Sequence, residues 1–179
     1  IISGFFGKYI GDRNSEIITS LLVSISAILS TFIFYEVIFN QYQSNVIIAK
    51  WINSGSLNVN WSIKIDTLSA IMLVVVTYVS SLVHIYSIGY MSHDPHKQRF
   101  MAYLSLFTFA MLMLVTSDNF IQLFFGWEGV GLCSYFLIGF WFKKDSANSA
   151  AMKAFIVNRV GDFGFALGIF LIFYLFGTV

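Results

Sequence analysis

Long apolar runs that carry almost no charge are the feature that most restricts how this chain can fold. The clearest run occupies residues 17–38, IITSLLVSISAILSTFIFYEVI, and contains a single charged side chain near its end. A helix of about 20 apolar residues is long enough to span the roughly 30 Å hydrocarbon core of a bilayer. Of the 179 residues, 58% are hydrophobic and 11% are charged, whereas about a quarter are charged in soluble domains. The sequence therefore predicts an all-α integral membrane protein, a bundle of about five to six transmembrane helices.

The other apolar segments give the predicted order of spans and loops. A second span covers residues 66–88, and Asp66 lies in its first turn, where a negative charge suits the helix dipole. The last span covers residues 154–176 and follows the polar stretch KKDSANSAAMK. Residues 40–64 are mixed and polar, which indicates an extramembrane loop. The alternating piece SLNVNWSIKI in this loop could pair as a short hairpin.

The apolar run at residues 101–141 is too long for one span. As a continuous helix its roughly 41 residues would reach about 60 Å, twice the hydrocarbon thickness. Only the polar stretch at residues 116–119, Thr-Ser-Asp-Asn, interrupts it. We therefore predict two spans joined by a tight turn at that point.

The distribution of lysine and arginine supports this division, because these residues accumulate in loops on the cytoplasmic side. With two spans in this run, only Lys50 and Lys64 fall on one side of the membrane. The opposite, basic side then holds Lys8, Arg13, Lys97, Arg99, Lys143, Lys144 and Lys153. Merging the run into one helix would erase this bias.

The composition excludes several classes of partner and cofactor. A formal net charge of +1, with no basic run interleaved with aromatics, indicates that nucleic acid is not a partner. Cys133 is the only cysteine, so the chain can form neither a disulfide framework nor a cysteine-based zinc or iron–sulfur site. The chain begins with Ile1 rather than methionine. We expect residues before Lys8 to be a truncated helix, and the sequence to be a piece of a longer chain.

Glu128 is the leading candidate for a functional side chain. It lies about ten residues from the predicted turn at Asp118, or roughly 15 Å into the bilayer, which is close to the midplane. An ionisable residue at that depth costs about 2.5 to 3.5 kcal/mol on insertion scales and marks function by default. Burial there favours the neutral acid and makes proton uptake and release possible. The alternative is a packing glutamate that is hydrogen-bonded to a neighbouring helix.

Arg159 and Asp162 form a second charged centre in KAFIVNRVGDFGF. Their i, i+3 spacing places them on one helix face, where they can neutralise each other. The alternative is a static ion pair that fixes helix register. Lys153 lies two turns earlier, where it can snorkel to water or serve at a proton entrance.

Histidines give weaker signals. His84 lies near the basic end of its span, and a lone histidine there is more often a satisfied interfacial side chain than a ligand. His93, Asp94 and His96 flank the only proline, a spacing that imitates a metal site, but we interpret this segment as a solvated loop. No metal site is predicted.

Two motifs carry a resemblance to a known family. Residues 126–141, GWEGVGLCSYFLIGFW, and residues 150–165, AAMKAFIVNRVGDFGF, strongly resemble the antiporter-like subunit of NADH:quinone oxidoreductase that is called subunit L in bacteria and chain 5 in mitochondrial complex I. The likeness extends from about residue 66 to the end of the chain. Residues 1–65, the N-terminal helices and extramembrane loop, match in pattern only.

The resemblance implies a role for each charged residue and a place in a larger assembly. Glu128 would be the proton-handling glutamate, and Arg159 and Asp162 the charged pair coupled to it. Residues 66–179 would be the start of the proton-conducting core, which in the family continues to a lysine on a later, broken helix. Flavin, iron–sulfur clusters and quinone would lie in partner subunits, with no cofactor in this chain.

The expected partners are other complex I membrane subunits, the lipid bilayer and protons. The expected location is the bacterial plasma membrane or the mitochondrial inner membrane. The chain would move protons, driven by quinone reduction elsewhere in the complex. The alternative is a subunit of an Mrp-type cation/proton antiporter, which would use the same carboxylate without redox coupling. A third possibility is an inert structural bundle.

Overall fold

The computed structural model describes residues 4, 7 and 11–179, and in that part of the chain five helices are long and apolar enough to cross a membrane. The prediction of a helical multi-pass membrane protein is confirmed. The elements, in chain order, are α1 (Asp12–Phe39), β1 (Ser44–Ser54), β2 (Leu57–Ile65), α2 (Thr67–Tyr90), α3 (Lys97–Val115), α4 (Phe120–Ile138) and α5 (Asp145–Phe176). The truncated helix and the basic side chain predicted at Lys8 lie outside the described residues.

Two of the predicted boundaries differ from the structure. The predicted hairpin is present but is longer than expected, because SLNVNWSIKI forms one strand, β2, which pairs antiparallel with the preceding strand, β1. α5 begins at Asp145, nine residues before the predicted start, so its 32 residues extend about 48 Å. Polar residues in its first turns remain helical because alanine-rich sequence has a high helix propensity. The helix therefore projects beyond the hydrocarbon layer.

Contacts between helix ends show that the basic loops lie at one end of the bundle, as the division into spans predicted. Gln98 Nε2 donates to Asp12 Oδ1 at 2.6 Å, and Arg99 Nη2 donates to the Phe140 carbonyl at 3.2 Å. The start of α1, the start of α3 and the end of α4 therefore lie at one end of the bundle. This basic end carries Arg13, Lys97, Arg99, Lys143 and Lys144, while the β-hairpin with Lys50 and Lys64 lies at the other end.

The turn at residues 116–119 separates α3 from α4, as predicted. Asn119 caps α4, because its side-chain oxygen accepts a hydrogen bond from the Gln122 N–H at 2.8 Å. Asp66 caps α2 in the same way through the Ser69 N–H, and this hydrogen bond lowers the pKa of the Asp66 carboxyl. Both caps begin a membrane span at the hairpin end of the bundle.

A buried glutamine attaches the hairpin to the bundle. Gln122 is fully buried; its Oε1 accepts from the Ser62 N–H at 3.0 Å, and its Nε2 donates to the Ser62 carbonyl at 2.7 Å. Asn119 Nδ2 also donates to the Asn60 carbonyl at 2.9 Å. One side chain thus satisfies both backbone groups of Ser62 in the middle of β2.

Replacing Gln122 by methionine is expected to destabilise the protein, because it leaves the buried N–H and C=O of Ser62 without partners. Each unsatisfied group costs about 1–3 kcal/mol. The measurement is the apparent unfolding temperature in detergent, together with the rate of protease cleavage within the hairpin. The exposed Gln43→Met is the matched control. Equal stability of the two variants would show that the hairpin does not depend on this contact.

Hydroxyl pairs connect the first two helices. Ser24 and Ser81 oxygens lie 2.8 Å apart between α1 and α2, and Ser30 and Thr77 oxygens lie at the same distance. Such interhelical hydrogen bonds contribute about 0.6 kcal/mol each in membranes. Together with the small side chains around them they allow close packing of α1 against α2.

Candidate functional site

Glu128 lies in the middle of α4, where glycines bring a neighbouring helix close on the other side. A Cβ atom added at Gly126 would lie 2.7 Å from the backbone of Leu114, and one at Gly129 would lie 3.1 Å from Ala110 Cβ. These glycines therefore permit the close packing of α4 against α3. Residues two positions apart in an α-helix are separated by about 200° around the helix axis, so Glu128 lies on the face opposite Gly126. This face is directed towards α5.

Arg159 on α5 connects two carboxylates. Its Nη1 is in ion-pair contact with Glu128 Oε2 and lies 3.4 Å from Asp162 Oδ2. Asp162 Oδ1 accepts a further hydrogen bond from Trp127 Nε1 at 2.8 Å. We call Trp127, Glu128, Arg159 and Asp162 the charged cluster.

The members of the charged cluster differ in burial. The side chain of Asp162 is 8% exposed, that of Glu128 is 23% exposed and that of Arg159 is 41% exposed. The Arg159 guanidinium also lies over the Phe155 ring, 4.6 Å from its centre. Asp162 is therefore fixed by two donors, whereas Arg159 has space to move. The cluster contains one more carboxylate than cation, and a single proton would remove that imbalance.

The sequence predicted three members of this cluster but missed Trp127. Trp127 is 49% exposed, but its indole N–H is a donor that finds a partner where water is scarce, and a tryptophan directly before an intramembrane glutamate was the available signal. Sequence alone could not show which acid it would bind. Its hydrogen bond joins α4 to the carboxylate that is most deeply buried.

Lys153 and His84 lie apart from the charged cluster. Lys153 is exposed and precedes Arg159 by six residues, about 9 Å along the axis of α5 towards the basic end. His84 is fully buried in α2, between Ser80 and the α3 residue Ser105. The structure thus brings Glu128, Arg159 and Asp162 together and leaves these two candidates elsewhere.

The segment of His93, Asp94 and His96, which imitates a metal site in the sequence, also has a structural outcome. Asp94 accepts hydrogen bonds from Trp141 Nε1 at 3.0 Å and from the His96 N–H at 2.8 Å. Partial desolvation raises the pKa of Asp94, but these two hydrogen bonds outweigh it, so the pKa lies below its ordinary value. Among the described residues, no group of three His, Cys, Asp or Glu side chains could hold a metal ion.

Five membrane-length helices with a charged cluster between two of them, in the middle of their spans, define a multi-pass membrane protein with an intramembrane ionisable centre, an arrangement typical of proteins that move ions or protons. Residues 51–101 match the family model for the N-terminus of chain 5 of NADH-ubiquinone oxidoreductase (complex I). Residues 117–179 match the transmembrane model shared by NADH:quinone oxidoreductase and Mrp antiporters. The chain belongs to the chain 5/subunit L family of NADH:quinone oxidoreductase.

Individual relatives agree with this family. The chain is 57% identical over 178 residues to NADH-ubiquinone oxidoreductase chain 5 of Triticum aestivum, covering 99% of this chain and 27% of that protein. It is 53% identical over 186 residues to NADH-quinone oxidoreductase subunit L of Rhodobacter capsulatus, covering 100% of this chain and 26% of that protein. The chain thus spans about a quarter of the length of these relatives.

A solved structure shares the fold. The Mrp complex from Dietzia sp. DQ12-45-1b contains a chain that matches with a TM-score of 0.81 and 21% identity, covering 99% of this chain and 18% of that one. At this identity the similarity concerns the fold alone. It shows that the helix arrangement occurs in antiporter complexes as well.

Proposed function

We propose that this chain is part of a membrane-arm subunit that translocates protons through the charged cluster, driven by quinone reduction in other subunits. The observation that carries the proposal is the contact of one cation, Arg159, with two carboxylates from different helices. Ionisable side chains inside a bundle are costly and mark proton paths. Residues 66–179 form the start of the conducting core.

The cluster can work by sharing its cation. While Arg159 contacts Glu128, the negative charge of that carboxylate is balanced and its proton is released. If Arg159 moves to Asp162 alone, Glu128 is left unbalanced in apolar surroundings, which favours proton uptake. Asp162 can receive the cation because Trp127 holds it in place. A local change of one ion pair is thus converted into the gain or loss of one proton.

The remaining candidates have subordinate roles in this proposal. Lys153 lies towards the basic end, where a long cationic side chain can serve at the proton entrance. His84 is a second protonatable group, and like Lys153 it lies in the half of the bundle that is nearer the basic end. Flavin, iron–sulfur clusters and quinone belong to partner subunits, and the chain itself binds other membrane subunits and lipid. Its location is the bacterial plasma membrane or the mitochondrial inner membrane.

A cation/proton antiporter subunit of the Mrp type is the second candidate. The observation that favours it is the transmembrane family model, which both classes share. In such a subunit the same carboxylate would exchange a proton for a metal cation without any redox reaction. The two candidates therefore differ in the source of energy for proton movement.

Proton flux in membrane vesicles that contain the intact protein separates the candidates. Under the redox-driven proposal, NADH oxidation acidifies one compartment without added sodium, and a quinone-site inhibitor stops the flux. An uncoupler serves as the control for leakage. Proton movement that requires a sodium gradient and continues without NADH would contradict the redox-driven proposal and support the antiporter.

A further inference from the structure

His84 makes hydrogen bonds that suit two protonation states. Its Nδ1 lies 2.8 Å from the Ser80 carbonyl, which can only accept, so Nδ1 carries a hydrogen. Its Nε2 lies 3.1 Å from Ser105 Oγ, and that hydroxyl also lies 2.9 Å from the Met101 carbonyl. The single hydroxyl hydrogen of Ser105 can serve either neighbour.

The hydroxyl of Ser105 therefore allows His84 to gain a proton without movement of heavier atoms. When His84 is neutral, Ser105 donates its hydrogen to Nε2. When Nε2 is protonated, it donates to Ser105 Oγ, and Ser105 donates to the Met101 carbonyl instead. A purely structural histidine needs only one of these arrangements, so the geometry points to a group that can change its charge.

Buried polar atoms on α1 approach this histidine from the basic end. Ser15, Glu16 and Ser20 are 1%, 5% and 7% exposed. Ser15 Oγ, Glu16 Oε1 and Ser20 Oγ have no hydrogen-bond partner among the described residues. Glu16 Oε1 lies 3.6 Å from Lys97 Nζ, an ion pair that is longer than a hydrogen bond. Buried polar groups without a protein partner are normally satisfied by ordered water, which indicates hydration at this position.

The register of α1 against α2 connects these atoms to His84. The pairs Ser24–Ser81 and Ser30–Thr77 show that the helices are antiparallel. Continuing the register places Ser20 near the level of residues 85–87 and Glu16 near the level of residues 89–91. Ser87, 3% exposed, follows His84 by three residues on the same helix face. Polar groups thus extend over a distance on the order of 10 Å between Glu16 and His84.

The charges around the junction where α1, α2 and α3 meet are nearly balanced. Glu16 on α1 and Lys97 on α3 face it, while Arg99 on α3 is directed towards the Phe140 carbonyl of α4. On α2, His84 contacts Ser105 of α3, whereas the Tyr78 hydroxyl lies 3.0 Å from Thr31 Oγ1 of α1, nearer the hairpin end. The α4 carboxylate Glu128 instead faces α5. No described cation contacts His84. The cation that would repel a positive charge on its ring is Lys97, which lies at the Glu16–Lys97 ion pair.

We propose that the junction of α1, α2 and α3 is a second, water-filled proton site, in which Glu16 and His84 exchange protons with the basic side of the membrane. The Glu16 carboxylate takes up a proton from the basic side and passes it to water bound at Ser15 and Ser20, and the proton is then taken up on His84 Nε2 while Ser105 turns its hydrogen to the Met101 carbonyl. When the proton returns, His84 is neutral again and Ser105 again donates its hydrogen bond to Nε2. Hydration of the junction is independent of the proposed function, whereas the contribution to proton transport rests on it.

Hydroxyl-radical footprinting of the intact complex tests the hydration, because radicals formed from bound water oxidise nearby methionines. Met91 and Met101 are 1% and 0% exposed and lie at the junction. Met111, in the apolar groove between α2 and α3, is more exposed and is the matched dry control. We expect Met91 and Met101 to be oxidised several times faster than Met111. Rates equal to or below that of Met111 would overturn the proposal.

Transport measurements on Glu16→Gln and His84→Gln test the proton exchange. Glutamine keeps a polar side chain at each position but cannot change its charge. We expect each variant to lower the number of protons moved per electron, while quinone reduction in uncoupled membranes continues. A wild-type ratio in both variants would make this a structural water site and overturn the proposal. Footprinting of Glu128→Gln separates the two sites, because oxidation of Met91 and Met101 stays unchanged even when transport through Glu128 is lost.

Discussion

Replacing Glu128 by glutamine is expected to lower proton translocation by the intact enzyme by about tenfold or more, since positioned acid–base groups contribute factors of about 10² to 10⁴. Glutamine has nearly the same shape and can still accept a hydrogen bond from Arg159, so the helix packing should survive. It cannot gain or lose a proton. The measurement is the proton flux per electron in vesicles, with quinone reduction followed in parallel.

Glu36→Gln is the matched control for this substitution. Glu36 is an exposed glutamate near the C-terminal end of α1, and it accepts a hydrogen bond from Asn40 Nδ2 at 2.7 Å. The same chemical change there should leave the proton flux near the wild-type value. If Glu128→Gln also pumped normally, the acid would be a packing residue, and the proposed path through α4 would be wrong.

Removing the shared cation is the second change with a large expected effect. Arg159→Met leaves Glu128 and Asp162 facing each other without a counter-charge, and loss of one partner of a buried pair costs about 3–5 kcal/mol. Arg159 is 41% exposed and Asp162 keeps its Trp127 hydrogen bond, so the cost falls below that range. We expect a lower unfolding temperature, a lower yield of assembled complex and loss of proton flux.

A double substitution tests whether the loss of stability in Arg159→Met arises from uncompensated negative charge. Adding Glu128→Gln to Arg159→Met removes one of the two carboxylates, so the double variant should be more stable than Arg159→Met alone. Arg159→Lys keeps the charge but loses the planar fork that contacts two carboxylates, and it should be intermediate. Strictly additive losses in the double variant would show that the three side chains do not act as a unit.

The number and order of the spans could be predicted from the sequence because each depends on local apolar length. The split at residues 116–119 followed from the membrane thickness, and the basic loops gave an independent check. The start of α5 was missed because a polar helical extension outside the bilayer has no hydrophobic signal. The pairing of β2 with β1 was missed because β1 alternates less clearly, and pairing is a contact between distant residues.

In the candidate site, too, contacts within one helix could be predicted from the sequence, whereas contacts between helices could not. The proximity of Arg159 to Asp162 follows from their spacing on one helix. Contact of either residue with Glu128 depends on the register of α4 against α5, which no short motif reveals. The hydrogen bonds of His84 to Ser80 and Ser105 likewise depend on the packing of α2 against α3. Hydroxyl side chains are common in membrane helices, so their pattern alone did not indicate the junction at Glu16.

Infrared difference spectroscopy of the intact enzyme, comparing resting and turning-over states, tests most directly whether Glu128 changes protonation inside the membrane. The proposed function predicts a carboxylic-acid C=O band that changes between the two states, shifts in heavy water and disappears in Glu128→Gln but persists in Glu36→Gln. A spectrum with no such band, or with the same band in Glu128→Gln, would contradict proton transfer at this residue.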